Sequence, residues 1–261
     1  MNIIVCLKQV PGTTDVKIDP ETNTLRREGI ENMVNPFDTY ALEEGIRLKE
    51  RYGGKVTAIS MGPPQAETML REAISCGADE AVLISDRAFA GSDTLATSYT
   101  LSCAVSKLQD YDLIICGRQT IDGDTGQVGP ELSEMLGLPF IAYVSKVEEV
   151  SDGRMTVERM VEDGHEVIET PLPTVITVAK EINVPRLPSL RGIMKSKKAE
   201  IPVWTASNIE VDEDRVGLAG SATWVVKVFF PQRVKQGEML EGEPESQVDA
   251  LIEKLRDLKI A

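Results

Sequence analysis

Histidine is all but missing from this sequence. The one present, His165, lies in the turn Glu162-Asp163-Gly164-His165 and reads as a solvated turn residue. Triads and metal sites built on imidazole have almost nothing to work with. Cysteine is scarce too: Cys6, Cys76, Cys103 and Cys116 are far apart and form no CxxC pair, so neither a disulfide framework nor a zinc site is expected. Two of them sit in apolar strand-like runs, where a free thiol packs as a small hydrophobe. That usage points to the cytoplasm. Long apolar runs are absent; none approaches the ~20 residues of a membrane helix. Near the start only Ile3–Leu7 is apolar, with no basic region before it, which is not a signal-peptide pattern. Basic residues are in deficit, 28 Lys and Arg against 42 Asp and Glu, for a net charge of −14. Such a chain repels phosphate backbones, and nucleic acid is excluded as a partner.

What remains is an ordinary soluble composition, 42% hydrophobic and 27% charged over 261 residues. At roughly 100–200 residues per domain, this length predicts one large domain with an appendage. Short continuous apolar runs recur at Ile3–Leu7, Val56–Ser60, Ala81–Ile84 and Leu113–Cys116, as in parallel strands covered on both faces. Between them the spacing predicts helices: one capped by Asp38 and closed by Gly53-Gly54, and one carrying Ala66, Met69, Leu70, Ala73 and Ile74. A third is capped by Ser92 or Asp93, and a short fourth starts at Pro130 and stops at Gly137. This alternation predicts an α/β fold, an open parallel sheet with helices on both faces. Arg154–Met160 and His165–Thr170 read as antiparallel strands, and Thr174–Val178 as one more buried strand. From Pro185 the chain is rich in proline and lysine and reads as a long exposed loop. Gln247–Ile260 has Val248, Leu251, Ile252, Leu255 and Leu258 on one helical face, which needs a surface to pack on.

The stretch Leu113–Pro130 carries the most chemistry. A buried strand runs into a loop with Gly117, Gly123, Gly126 and Gly129, then into a helix start. In open α/β sheets ligands sit beyond the carboxyl ends of strands, at such loops. Glycines let backbone N–H groups approach an anion, and a helix start adds partial positive charge. The pattern is neither GxGxxG nor GxxxxGK[ST], so two common nucleotide signatures do not apply. Spacing alone leaves two readings, a nucleotide site or a structural turn. Asp122 and Asp124 fit ribose contacts, loop-closing turns or a metal. Asn35-Pro36-Phe37-Asp38 and Ser60-Met61-Gly62-Pro63 leave other strands toward the same edge.

Taken in order, these pieces resemble the β subunit of electron-transfer flavoproteins along nearly the whole chain. The matching residues are Lys8 after the first strand, Asn35-Pro-Phe, Arg47-Leu-Lys-Glu50, Met61-Gly-Pro63, Gly77-Ala-Asp79, the loop Gly117–Pro130, Pro185-Arg186 and Leu190–Lys198. The resemblance implies a nucleotide-binding α/β domain of the adenine-nucleotide-hydrolase-like kind over 1–200. A C-terminal arm and helix over 201–261 would pack on a partner, the flavin-carrying α subunit of a heterodimer. It also implies a nucleotide held by this chain: AMP in simple members, a second FAD reduced by NADH in electron-bifurcating ones. Carried over by position, that site comprises Cys6, Asn35, Pro36, Phe37, Asp38, Met61 and the loop residues Gly117, Arg118, Gln119, Thr120, Ile121, Asp122, Gly123, Asp124, Thr125, Gly126, Gln127 and Val128. The stretch from Ala88 resembles the NADH-using branch and adds Thr94 and Thr97, three apart near a helix start, where hydroxyls hold a ring edge or phosphate or face solvent. No catalytic acid–base dyad is implied, since the flavin carries the chemistry. Docking to an acyl-CoA-type or related flavin dehydrogenase falls to the loop 185–198. There Leu190 is an apolar anchor accompanied by Ile193 and Met194 and framed by Arg186, Arg191, Lys195 and Lys198.

Overall fold

A computed structural model of the chain describes residues 1–12, 32–226 and 237–260. Its elements run β1 (Asn2–Cys6), β2 (Gln9–Pro11), β3 (Asn32–Val34), α1 (Pro36–Tyr52), β4 (Lys55–Met61), α2 (Glu67–Cys76), β5 (Glu80–Ile84), α3 (Thr94–Leu108) and β6 (Leu113–Gly117). They continue with α4 (Val128–Leu136), β7 (Phe140–Ser151), β8 (Arg154–Val161), β9 (Gly164–Pro171), β10 (Thr174–Val178), α5 (Leu190–Lys198), β11 (Val203–Trp204) and α6 (Pro244–Asp257). Nine strands form one sheet in the order β11-β5-β4-β1-β6-β10-β7-β8-β9. Every pair from β11 to β7 is parallel, and β8 and β9 extend the sheet antiparallel. The expected parallel α/β sheet is therefore present.

Successive side chains of a strand point to opposite faces. Ile3 and Val5 of β1 accordingly join Ile46 of α1 and Leu70 and Ile74 of α2 in one core cluster. Ile4 and Cys6 join Leu101 and Val105 of α3 and Leu132 of α4 in the other. Both faces are apolar because both are covered, which is why these strands read as continuous apolar runs. Each large side chain so buried contributes about 1.5–3 kcal/mol.

Several local expectations are corrected. Asp38 does not cap the first helix. Asn35 stands at the N-cap position, and Pro36 opens α1, where a missing N–H costs nothing. Asp38 lies in the first turn with its carboxylate drawn inward. The fourth helix begins at Val128, two residues ahead of Pro130. β7 escaped the sequence because its first half pairs with β10 in the interior while its second half alternates beside β8. The segment after Pro185 is not all loop. Ser189 Oγ accepts from Gly192 N at 2.9 Å and starts α5. Arg71 Nη1 on α2 donates to the carbonyls of Ser196 (2.6 Å) and Ala199 (3.2 Å) at its other end.

Contacts divide the chain into two compact units, Met1–Val226 and Lys227–Ala261. Residues 201–226, which the sequence groups with the arm, lie in the first unit, where β11 pairs with β5. The second unit holds α6, whose Val248, Leu251 and Ile252 are exposed. Among the described residues no helix is long and apolar enough to cross a membrane.

Candidate functional site

The carboxyl ends of β1, β4, β5 and β6 open into a cavity of about 1010 Å³. Its wall includes Cys6, Asp38 and Met61, the helix-start threonines Thr94 and Thr97, and Gly117, Arg118, Gln119, Thr120, Gly123, Thr125, Gly126, Gln127 and Val128. These fourteen of the twenty residues assigned from the sequence to the nucleotide site come together. The register explains the floor: Cys6 and Cys116 are opposite each other on β1 and β6, on the face covered by α3 and α4. Hydrogen bonding to Cys6, then burial, pushes the Cys116 thiol well up, so Cys116 is inert apolar lining.

The other six assigned residues are not among the lining residues, and Asn35 shows why they matter. It is fully buried. Its Nδ2 donates to Asp38 Oδ1 and to the Gln119 carbonyl, both at 2.9 Å, and its Oδ1 accepts from Ile121 N at 3.2 Å. One side chain thus holds the start of α1 against the loop that follows β6. Pro36 and Phe37 carry the chain through that helix start. Asp122 Oδ1 pairs with Lys8 Nζ at 2.8 Å, and Asp124 Oδ1 accepts from Gln119 Nε2 at 2.5 Å. Both aspartates close the loop. Burial pushes Asp122 upward, but the Lys8 ion pair and further hydrogen bonds together hold it below the usual range.

Asp38 is the second staple. Its Oδ2 accepts from Lys8 N at 2.7 Å, and a further hydrogen bond comes from the Gly117 backbone. The carboxylate so joins the ends of β1 and β6 to α1. Burial, opposed by these hydrogen bonds and by Lys8, raises its pKa to about 7.

The remaining charge pattern favours an anion. Asp86 and Asp93 on the wall are both occupied by backbone donors: Asp86 by Ala88 N and Ala206 N, Asp93 by Ala96 N and Thr223 N. The cations Arg87 and Arg118 remain exposed on the same wall. The starts of α3 and α4 both reach it, at Thr94 and at Gln127–Gly129, adding orphan N–H groups and partial positive charge. Gly126 has φ +63°, which exposes its backbone without strain. Ile59, Phe89 and Leu101 give an apolar patch. Sequence reasoning missed these and Arg87; they stand in ordinary helix and strand patterns, and only the fold turns them toward the cavity. A nucleotide fits this lining: phosphate at the helix starts, base against the apolar patch. Among the described residues no cluster of three or more His, Cys, Asp or Glu could hold a metal.

The docking residues separate into two groups. Leu190 is 84% exposed on α5, with Leu187, Ile193 and Met194 exposed around it. Arg191 and Lys198 are exposed as well. Arg186 is engaged inside the chain: its guanidinium binds Glu43 (2.8 Å) and Glu50 (2.6 Å) of α1 and ties down the segment before α5. Burial would raise Glu43, but Arg186 and Arg47 outweigh it and hold the carboxylate ionised. Lys195 Nζ donates to the Ala78 carbonyl at 3.0 Å, so it too seats α5.

Residues 22–209 match the family model described as the electron transfer flavoprotein domain. A relative from Thermoanaerobacterium thermosaccharolyticum, named electron transfer flavoprotein subunit beta, is 52% identical over 256 residues, 98% of each chain. The caffeyl-CoA reductase-Etf complex subunit CarD of Acetobacterium woodii is 45% identical over 262 residues, 100% of each. Protein FixA of Azotobacter vinelandii is 43% identical over 265 residues, 98% of this chain and 94% of the relative.

Proposed function

This chain belongs to the electron transfer flavoprotein family, as a β subunit, and from that premise we propose that its cavity holds FAD reduced by NADH in a bifurcating heterodimer. The observation that carries the reading is the size of the cavity, about 1010 Å³ with two helix starts and two exposed arginines on its wall. Pockets for small ligands run to ~1,000 Å³, so AMP alone leaves much of this space unfilled, whereas a dinucleotide uses it. FAD held there would supply two-electron acceptance and one-electron release, the chemistry that bifurcation requires. The chain's own residues bind and orient. Backbone N–H groups at Thr125–Gly129 and the threonines Thr94 and Thr97 would hold the phosphates and ring edge, and Arg118 and Arg87 would balance charge. Asn35 and Asp38 hold the loop in the geometry that aims those groups. The wall of Cys6, Cys116 and Met61 keeps one side dry.

For the partners, exposed Trp224, Val225 and Val226 and the apolar face of α6 are surfaces offered to the α subunit. Leu190 on α5 is offered to an acyl-CoA-type dehydrogenase. A relative named as a subunit of a caffeyl-CoA reductase-Etf complex supports that class of partner. The test is an anaerobic titration of the purified heterodimer with NADH. Bleaching of flavin by NADH without any dehydrogenase present supports the reading; spectra unchanged by NADH contradict it.

A further inference from the structure

The hydroxyls of α3 follow two habits. Thr100 Oγ1 and Ser102 Oγ donate to carbonyls of their own helix, Ala96 at 2.8 Å and Tyr99 at 2.7 Å, the usual outlet for a hydroxyl inside a helix. Thr94 and Ser98 do not. They stand one turn apart on one face, and both reach across to the two oxygens of a single carboxylate on α4. Thr94 Oγ1 donates to Glu131 Oε1 at 3.1 Å, and Ser98 Oγ donates to Glu131 Oε2 at 3.0 Å. Glu131 lies in the first turn of α4, where the helix start favours a negative charge. Thr94 and Gln127 line the cavity, whereas Glu131 and the fully buried Ser98 stand behind them. One carboxylate outside the cavity wall therefore joins the two helix starts that form part of it.

We propose that Glu131 is a positioning residue for the bound nucleotide and acts through Thr94, a proposal that rests on the reading of the cavity as a nucleotide site. A hydroxyl has one proton and two lone pairs. The Thr94 hydroxyl has two acceptors in reach inside the chain, Glu131 Oε1 and, at 3.2 Å, Gln127 Oε1. The charged carboxylate makes the stronger bond. The proton is thus directed away from the ligand, and Thr94 turns an acceptor toward the cavity. An acceptor suits an O–H or N–H group of the nucleotide, such as one on a ring edge, and not a phosphate oxygen. Held at both Thr94 and Ser98, the carboxylate also sets the spacing of the two helix starts. The charge of Glu131 by itself repels an anionic ligand, so its hydrogen bonds and its charge act on the nucleotide in opposite directions.

That opposition makes the role testable. Glu131→Gln drops the charge and keeps the clamp: its carbonyl accepts from Thr94, and its amide donates to Ser98 Oγ, whose proton passes to the Val128 carbonyl 3.4 Å away. Glu131→Leu drops both, yet Gln127 and Val128 remain as acceptors for the two hydroxyls, and Glu131→Ala repeats the deletion without the bulk. The full heterodimer with its nucleotide bound is diluted serially and filtered, and the released nucleotide is identified and quantified. The α-subunit FAD serves as internal standard, and melting is followed in parallel. Glu131→Leu and Thr94→Val should each weaken retention by about tenfold, and the double variant should be no weaker than Thr94→Val alone. Glu131→Gln and Thr94→Ser should retain the nucleotide at least as tightly as the wild type. Full additivity in the double variant overturns the route through Thr94. Wild-type or tighter retention in Glu131→Leu and Glu131→Ala overturns the clamp, as does equal weakening in Glu131→Gln and Glu131→Leu. Release of AMP in place of FAD contradicts the FAD reading alone, and the same series then decides the clamp on AMP. A wild type whose cavity holds no nucleotide overturns both.

Discussion

The Asp38 carboxylate lies so close to Gly117 that no β-carbon fits on that residue. A Cβ built there would overlap Asp38 Oδ1 and stand 2.8–2.9 Å from the backbone of Phe37 and Asp38. Neither neighbour can move, because Asp38 is held by Lys8, Asn35 and Gly117 itself. Gly117→Ala should cost about 1–3 kcal/mol by overpacking, several degrees in Tm, and should lower the bound nucleotide. Thermal melting with nucleotide quantification checks this; wild-type values of both would remove the staple from the account.

The loop glycines are not equivalent. Gly126 has φ +63°, and a side chain there is strained whatever the space, whereas a Cβ on Gly123 meets only Thr120 Oγ1 at 3.6 Å, an ordinary contact. Gly126→Val should lose about 1–2 kcal/mol and most of the nucleotide. Gly123→Ala should fold as the wild type does. Equal nucleotide loss in the two variants would show that side-chain bulk facing the ligand matters and backbone strain does not.

Asp38 predicts a pH dependence. Burial raises its carboxyl to about 7 from 3.8, against hydrogen bonds from Asn35, Lys8 and Gly117. Between those limits the folded chain holds a proton that the unfolded chain has lost. The group's stabilising contribution is therefore complete below the ordinary carboxylate range and fades as pH rises through about 7. Tm measured from pH 5 to 8 should contain a falling component that Asp38→Asn lacks. That variant should also be less stable throughout, by about 1–3 kcal/mol, because an amide NH₂ meets backbone donors. Identical slopes in both proteins would contradict the assignment.

Leu190 should behave as a surface anchor. At 84% exposure its truncation to alanine should leave stability within about 0.5 kcal/mol of wild type. A central anchor on a partner surface costs ~2 kcal/mol or more, over tenfold in the half-saturating dehydrogenase concentration. Lys198 is exposed, so reversing its charge should slow association chiefly at low salt. Lys195 seats α5 on the Ala78 carbonyl, so Lys195→Glu should lower Tm instead. Electron transfer assayed against dehydrogenase concentration, beside melting curves, separates these outcomes; equal behaviour of the two lysines would undo the distinction.

The parallel core was legible because strands covered on both faces must be continuous apolar runs, and β1, β4, β5, β6 and β10 all are. The glycine loop after β6 was legible for a local reason as well, since strand, loop and helix start are contiguous. Long-range contacts were not. Asn35 reaches the carbonyl and amide of residues 84 and 86 positions away, and Arg186 finds Glu43 and Glu50 across 143 and 136 positions. Pattern alone left Arg186 as one of several basic residues on a supposed loop. α5 was hidden because its short apolar set Leu190, Ile193 and Met194 stands in a proline- and lysine-rich stretch with an internal glycine, is exposed, and its seat on α2 is tertiary. Glu131 carries no sequence signal at all; its partners Thr94 and Ser98 stand on another helix, 37 and 33 positions away.

The central claim is the identity of the molecule in the cavity, and the direct measurement is chemical. The heterodimer is purified, denatured, and its released nucleotides are separated and quantified against protein. The account predicts a second FAD per heterodimer beyond the one carried by the α subunit, lost from Gly126→Val while the α-subunit flavin remains. One FAD accompanied by stoichiometric AMP would contradict it.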